Sequence, residues 1–423
     1  MSQEFINPDP SCEDDFDPNS MPVDAALQRI AQAVRPLRHV ESVAIRGALG
    51  RVLAGDVAAP FDVPPHRNSA RDGYALAQQS IVSDDGVITL TVVGTSWAGK
   101  PYTDPLSAGE CVRIMTGAAM PPGTDVVVMQ EHVEVEDNRI RFNANSPTAS
   151  HVRYPGEDFH AGDVVLTAGK LLRPADLGVL ASMGLAEVKV MRRLRVAFFS
   201  TGDELKMIGE PLGLGDIYDS NRYCLHGMLR RLGVEMIDLG VIPDTRDEVR
   251  RAFTEASEEA DVVISTGGAS VGEADYIAEV LEEMGSVNFW KISMKPGRPL
   301  TFGHLGDALF FGLPGNPVSV MVTFYQFVQP ALRQMRGESS TFANRMRVPL
   351  ASAIKKQPGR VEFQRGLLSV DSTGQTHVTS TGAQGSHILN SMSNANCFII
   401  LPLESTGAEA GELVEVEPFE GLV

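Results

Sequence analysis

The chain is poor in cysteine: only Cys12, Cys111, Cys224 and Cys397 occur in 423 residues, and no two are spaced as a CxxC pair. That spacing excludes a zinc knuckle, an iron–sulfur cluster and a disulfide framework. Nine histidines are scattered without an HExxH, so no histidine-based metal site is expected. No apolar run reaches the roughly 18 residues that a membrane-spanning helix needs. The start of the chain is acidic and polar rather than basic then apolar, so it does not read as a secretory signal. A soluble cytoplasmic protein is the expectation. Basic residues are also in deficit, with 36 Lys and Arg against 54 Asp and Glu and a net charge of −18. This disfavours nucleic acid and an anionic membrane surface as partners. A small anionic substrate stays open, because charges more than about 8 Å apart are largely screened at physiological salt.

What is present divides the chain into several domains, since 423 residues exceed what one core supports. Residues 1–20, rich in Asp, Pro and Ser, read as a disordered tail. Leu27, Ile30 and Val34 then recur at helical spacing behind Asp24 as N-cap, and Pro36 ends the pattern. From 60 to 150 short β-type runs (87–93, 126–129, 139–142) broken by Gly, Pro and Asn predict a β-rich module. A helix opens at Pro174 and is capped by Gly184.

Residues 194–338 alternate strand and helix, with strands expected at 194–199, 234–239, 261–265, 287–292 and 308–311. Helices are expected at 221–232, 245–260 and 274–284, with Thr245 and Glu248 as a capping box, and a final helix runs from Pro317 to Arg336. This predicts a mainly parallel, doubly wound α/β sheet. Residues 339–423 return to β-type runs at 345–350, 361–368, 376–381, 397–401 and 413–416, a small C-terminal β domain.

Ligands of open α/β sheets bind beyond the carboxyl ends of the strands. The loops there carry Thr201, Gly202, Asp203 and Glu204; then Asp244; then Gly267, Gly268, Ser270 and Asp275; then Lys291, Lys295, Pro296, Gly297 and Arg298; then Pro314, Gly315, Asn316 and Pro317. Glycines and hydroxyls offer donors to phosphate-like oxygens, and Lys291, Lys295 and Arg298 add positive charge. Asn316 before Pro317 makes a helix N-terminus that favours an anion. Glu204, Asp244 and Asp275 would repel phosphate unless a hard cation lies between them, and Mg²⁺ fits that need. Taken singly, Lys295-Pro296-Gly297 reads equally as a type II turn and Gly267-Gly268 as a tight strand exit. Five successive loops on one edge make the case for phosphoanhydride chemistry.

At these residues the chain resembles the molybdopterin molybdenumtransferase family, of the MoeA and gephyrin E-domain type. The match runs from about Pro22 to Val416. It includes Asn68-Ser69-Ala70-Arg71-Asp72-Gly73-Tyr74-Ala75, Arg113-Ile114-Met115-Thr116-Gly117-Ala118, Gly156-Glu157-Asp158, Ser200-Thr201-Gly202-Asp203-Glu204-Leu205, Gly272-Glu273-Ala274-Asp275-Tyr276, Lys295-Pro296-Gly297 and Gly312-Leu313-Pro314-Gly315-Asn316-Pro317. The resemblance implies a helical linker domain in two segments, 21–59 and 151–193, a β-rich domain inserted at 60–150, a molybdopterin-binding α/β domain at 194–338 and a barrel-like β domain at 339–423. It implies a homodimer whose cleft combines the α/β and C-terminal domains of one subunit with the inserted domain of the other. By motif it carries over Asp72, Thr116, Arg153, Glu204, Asp244, Asp275, Lys291, Lys295, Pro314 and Pro317, with molybdate near the Lys-Pro-Gly turn and near Arg365 and Ser386. The chain departs from the family at His66 and Arg67, where an aromatic and an acid are usual, and at Arg71, which replaces a common Met.

The implied reaction takes adenylyl-molybdopterin and molybdate to molybdenum cofactor and AMP. Lys291, Lys295 and Arg365 would neutralise oxyanion charge, and Glu204, Asp244 and Asp275 would hold Mg²⁺ or orient water. The upstream molybdopterin adenylyltransferase and downstream molybdoenzyme maturation factors are the implied partners. A tungstate-inserting paralogue and a non-catalytic gephyrin-like scaffold are the alternatives.

Overall fold

The computed structural model describes residues 20–81, 86–144, 151–267, 276–341 and 343–419. The expected disordered tail lies outside these residues apart from Ser20. The chain forms two compact units, one of residues 55–168 and 174–187, the other of residues 1–54, 169–173 and 188–423.

The first unit is built on a six-stranded sheet, in the order Val126–Met129, Gly73–Leu76, Glu110–Ile114, Val87–Ser96, Arg139–Asn143 and Glu134–Glu136. Alternation sets its faces. Ile88, Leu90, Ile140 and Phe142 point into a core with Tyr74, Leu76, Val126 and Val128, while Arg139 and Arg141 stay exposed. Gly73 makes the central pairing possible, because a Cβ there would lie 2.1 Å from the Val128 carbonyl oxygen. The helix Pro174–Ser182 ends as its sequence predicts: Gly184 takes φ +70°. Its N–H and that of Leu185 satisfy the carbonyls of Ala181 and Leu180 at 2.9 and 3.2 Å.

The second unit contains the α/β sheet. Its elements are β1 (Arg195–Thr201), α1 (Ser220–Leu232), β2 (Glu235–Ile242), α2 (Arg246–Glu259), β3 (Val262–Thr266), α3 (Tyr276–Met284), β4 (Gly285–Lys291), β5 (Pro299–Leu305), β6 (Ala308–Leu313) and α4 (Pro317–Thr323). The strand order is β2-β1-β3-β6-β5-β4. The first four are mutually parallel, and β5 runs antiparallel to both β6 and β4. The doubly wound sheet is therefore present, with one strand more than the sequence signals. Gly303 hides β5, since glycine weakens a strand signal. Here it is needed, because a Cβ would sit 2.2 Å from the Ser286 carbonyl oxygen of β4.

Two local expectations change. Thr245 is the N-cap of α2, but its side chain makes no capping bond, and Glu248 pairs instead with Arg251 one turn on. The first helix spans Val23–Ala33 with Pro22 as N-cap, so Asp24 lies inside the first turn.

After α4 the helix continues through a π-type turn, Phe324–Val328, into Gln329–Met335. Val318, Val320, Val322, Phe324 and Phe327 are fully buried, as core packing requires. Beyond it lies the C-terminal sheet, ordered Met294–Lys295, β7 (Val361–Val370), Cys397–Leu401, Leu413–Pro418 and Met346–Pro349, with Thr376–Ser380 also paired to β7. Its first strand is borrowed from the α/β sheet's own loop. Phe363, Phe398 and Ile400 share one core with Phe302, Phe311, Phe324 and Phe327, so the two sheets are packed together.

Gly73→Ala should destabilise the chain by about 1–3 kcal/mol, the usual cost of overpacking, with little change in secondary structure by circular dichroism. Chemical denaturation measures this, and an unchanged midpoint would contradict the close approach to Val128.

Candidate functional site

Two clusters lie along the carboxyl edge of the α/β sheet. The first sits where the chain order reverses between β1 and β3, the place where open α/β sheets take ligands. Ser200 Oγ and Thr266 Oγ1, both buried, are 2.8 Å apart and tie the two strand ends together. Gly267 follows at φ +87°, where a Cβ would lie 2.4 Å from the Thr201 carbonyl oxygen. Glu204 folds back over Gly202, its Oε2 being 2.6 Å from where a Gly202 Cβ would stand. Asp244 follows β2. Burial raises its carboxyl above the ordinary range, and the negative charges of Asp203 and Glu204 raise it further. Three acids are thus within electrostatic reach of one another. Among the described residues no group of three or more His, Cys, Asp or Glu side chains is arranged to hold a metal. Asp275, the third member of the expected set, lies outside the described residues, as do Gly268 and Ser270.

The second cluster is built around Lys295. Met294 and Lys295 pair in parallel with Val361 and Glu362 of β7, and Val361 N–H donates to the Ser293 carbonyl at 2.9 Å. The Lys295–Pro296 bond is cis and Gly297 has φ +94°. A Cβ on Gly297 would lie 2.7 Å from Thr323 Cγ2 and 3.5 Å from the Ser319 carbonyl oxygen, so the turn is pressed against α4. Asn316 caps α4 with no side-chain bond, and Pro317 is its first residue. Its Val318 N–H donates to the Ser386 carbonyl at 3.1 Å, so a protein acceptor occupies part of the helix start read as an anion site. Gly315 accepts from Asn221 Nδ2 at 2.7 Å, which fixes the Pro314–Pro317 loop to α1.

Arg365 lies on β7 and is 1% exposed. Its Nε donates to Ser391 Oγ and its Nη2 to the Gly385 carbonyl, both at 3.0 Å. Gln384 brackets its backbone, accepting from the N–H at 2.8 Å and donating to the carbonyl at 3.1 Å. Lys295, Gly297, Pro317, Arg365 and Ser386 are therefore linked through adjoining segments. Arg298 is half-buried beside them, its carbonyl accepting from Ile292 N–H at 2.8 Å.

Lys291 stands apart from the carboxylates. It ends β4, three places from β3 in the sheet, a lateral offset of about 14 Å at ordinary strand spacing. Its carbonyl accepts from Met21 N–H at 2.7 Å.

Sequence reasoning missed Asn221 and Glu362. Asn221 is nine-tenths buried, and its Oδ1 has no partner among the described residues. Glu362 Oε1 is 3.8 Å from Lys295 Nζ. Glu362 and Gln364 alternate with Phe363, a pattern that reads as the solvent face of a strand. Neighbouring elements cover that face here, and both residues are buried.

In the other unit Asp72 and Thr116 meet directly. Asp72 Oδ1 accepts from Thr116 N–H at 2.7 Å and from its hydroxyl at 2.8 Å. Those bonds, helped by the charge of Arg113, hold the Asp72 carboxyl below the usual carboxylate range. Arg153 is exposed and lies opposite Asn68 in a two-residue ladder. Of the residues that depart from the family, Arg67 is turned to the Thr124 carbonyl at 2.9 Å and to the ring of Tyr154, 5.7 Å away.

Three family descriptions match the chain in succession: MoeA N-terminal region (domain I and II) over residues 21–184, probable molybdopterin binding domain over 197–334, and MoeA C-terminal region (domain IV) over 347–419. A protein of Haemophilus influenzae named molybdopterin molybdenumtransferase is 44% identical over 95% of this chain and 99% of its own. A protein of the same name from Nostoc is 36% identical over 89% and 88%. The crystal structure of a molybdopterin biosynthesis moeA protein from Pyrococcus horikoshii superposes with a TM-score of 0.81 at 30% identity, covering 95% of this chain and all of that one.

The acidic cluster makes a pH-dependent prediction. Because the folded state raises the Asp244 carboxyl, it binds that proton more tightly than the unfolded chain does. Stability must then fall as pH rises from the unfolded value near 3.8 through the folded one. Asp244→Asn should melt above the wild type at pH 7, and the difference should close as the solution is acidified through the carboxylate range. Equal melting temperatures at pH 7 would mean that the repulsion is absent.

Proposed function

The chain belongs to the molybdopterin molybdenumtransferase family, and we propose that it inserts molybdate into adenylyl-molybdopterin at the cluster around Lys295, releasing AMP at the carboxylate end of the same sheet edge. The observation that carries this reading is the convergence of Lys295–Gly297, Arg365, Ser386 and the start of α4 through direct hydrogen bonds and strand pairing. Lys295 supplies a mobile cation and Arg365 a fixed one. Arg365 is oriented by Ser391 and Gly385 before any oxyanion arrives, so little reorganisation accompanies binding.

At the other end Glu204 and Asp244 are the described groups to hold Mg²⁺, and the family resemblance adds Asp275 to them. The fit rests on charge: burial raises Asp244 most, Asp203 and Glu204 raise it further, and a hard cation would relieve that repulsion. Such an ion would polarise the phosphoanhydride and stabilise the departing phosphate of AMP. Asp203 and Glu204 orient water or ion ligands there. The two glycines there serve the chain's own packing, Gly202 admitting the Glu204 carboxylate and Gly267 the Thr201 carbonyl oxygen. Asp72, Thr116 and Arg153 of the partner subunit, from its inserted domain, contribute a hydrogen-bonded acid and a cation for the substrate. Lys291 acts at longer range, by drawing anions to this edge.

No helix among the described residues is long and apolar enough to cross a membrane, and a cytoplasmic site of action accords with a substrate handed on from the adenylyltransferase to enzymes that mature molybdoenzymes. We infer a homodimer, for which light scattering should return twice the chain mass of 45.6 kDa. A fully active monomer would overturn that inference.

The decisive assay is AMP release from purified adenylyl-molybdopterin as molybdate and Mg²⁺ are varied. Lys295→Ala removes a charge-assisted contact worth about 1.5–3 kcal/mol, so it should raise the molybdate requirement and be partly rescued by excess molybdate. Asp275→Asn should bind adenylylated pterin yet lose turnover by roughly 10²-fold or more, with no rescue by molybdate. If the wild type releases no AMP under any combination, the reading fails. If both variants respond alike to molybdate, the division of roles is wrong.

A further inference from the structure

A carboxylate stands in the wall of a site meant for a dianion. Glu362 Oε1 is 3.8 Å from Lys295 Nζ, and its side chain is only 9% exposed. It cannot swing away freely, because Oε2 accepts from Gln364 Nε2 at 2.7 Å, and Gln364 is itself buried on the same face of β7. The spacing to Lys295 is that of an ion pair without a hydrogen bond, since it exceeds 3.5 Å. Lys295 therefore keeps its N–H donors for another acceptor while its charge is opposed.

The surroundings explain why opposition is useful. Lys356 lies within electrostatic reach of the same carboxylate. Burial lowers the Lys356 ammonium, Glu362 and Glu404 raise it, and Arg360 and Lys295 lower it further. Lys356 itself is committed to structure, donating to the carbonyls of Gln357, Leu403 and Ser405 at 3.1, 3.3 and 2.9 Å. Lys295 and Lys356 thus share one carboxylate, and without it their combined charge would hold a tetrahedral dianion more tightly. An oxyanion oxygen bonded to Lys295 Nζ at about 2.8 Å lies no more than about 6.6 Å from Glu362 Oε1, close enough to feel its charge.

We propose that Glu362 is a specificity-determining residue of the oxyanion site, whose fixed charge beside Lys295 weakens the binding of free tetrahedral dianions. The inference rests on the reading that Lys295 binds the oxyanion. Sulfate and phosphate do not exchange their oxygens for sulfur under mild conditions, so once weakened they leave. Molybdate exchanges oxygen ligands readily: the substrate's two dithiolene sulfurs bond to the metal, one oxo ligand leaves as water with the two thiol protons, and the oxidation state is unchanged. Discrimination then comes from a repulsive element that every dianion meets and a bond that only the metal oxyanion makes.

The test uses the full-length enzyme, with sulfate and molybdate as probes. Binding of each is measured by titration calorimetry without pterin, and sulfate inhibition is measured in the AMP-release assay. Glu362→Gln should bind sulfate roughly tenfold or more tightly, be inhibited at correspondingly lower sulfate, and show a lower KM for molybdate. Glu362→Asp, which keeps the charge, should remain close to wild type. Glu404→Gln removes an exposed carboxylate that faces Lys356 and should leave sulfate sensitivity unchanged. Gln364→Met frees Oε2 while keeping the charge, and should raise sulfate affinity by a smaller factor. It decides the question alone if Glu362→Gln does not fold. Unchanged or weaker sulfate binding in folded Glu362→Gln, or in Gln364→Met where Glu362→Gln does not fold, overturns the proposal. Lys295→Ala separates the two claims: if it lowers oxyanion affinity while the Glu362 variants do nothing, only the role of Glu362 falls. If it leaves oxyanion affinity intact, the assignment of Lys295 falls first.

Discussion

Two residues of strand pairing hold the candidate site together. Met294 and Lys295 leave the α/β sheet and run beside Val361 and Glu362 as the edge strand of the C-terminal sheet. Side chains alternate along a strand, so a slip of one residue would turn Met294 outward and bury Lys295. The core prevents this: Met294 is fully buried with Ile292 and Phe363, and exchanging it for an ammonium would bury an unpaired charge. The position of Lys295 is thus set by hydrophobic packing on its neighbour and not by any bond to the lysine itself.

The same economy governs the cations and acids around it. Arg365 keeps its charge in a nearly dry position because Ser391 and Gly385 accept from it, and its backbone is pinned on both sides by Gln384. On the other side of the junction Gln326, in the π-type turn, donates to Glu417 at 2.8 Å and accepts from Arg345 at 3.2 Å. Arg345 also reaches Glu417 at 3.0 Å. This triad joins the helix that starts at Pro317 to the last strand of the C-terminal sheet. The aromatic rings of Tyr325, Phe398 and Phe419, within 6 Å of one another, fill the space between. A helix start and a β sheet that share both a polar brace and an aromatic core present their side chains as one rigid wall.

Periodicity and turn chemistry made much of this legible in advance. The α/β alternation, the helix capped by Gly184 and the strands at 126–129, 397–401 and 361–368 follow from the spacing of apolar residues and glycines. The convergence of Lys295, Arg365 and Ser386 was available only through family resemblance, since nothing in the spacing of residues 70 positions apart predicts a two-residue ladder. β5 was hidden by Gly303, whose purpose is close strand approach. Glu362 and Gln364 were hidden because polar alternation signals a solvent face unless another element covers it, and coverage is a tertiary fact. Thr245 and Glu248 had the sequence of a capping box, but Arg251 one turn away offered Glu248 an opposite charge.

Sheet order also sorts charge, and that ordering bears on how a substrate lies. Read across β2-β1-β3-β6-β5-β4, the loops carry carboxylates after β2 and β1, glycine after β3, a helix start after β6 and lysines after β4. Chain order scrambles this, because β4 precedes β5 and β6 in sequence but lies outside them in space. A substrate with a uniform charge would find half of this edge repulsive. One laid along it with a phosphoanhydride toward β1 and β2, where a cation can intervene, and an oxyanion-accepting group toward β6 and β4 meets a complementary group at each step. Adenylyl-molybdopterin has that polarity, with its nucleotide at one end and its dithiolene beyond the phosphates. On the proposed assignment the gradient favours one direction of binding over its reverse, because the reverse would bring molybdate against Glu204 and Asp244, whose carboxylates repel it.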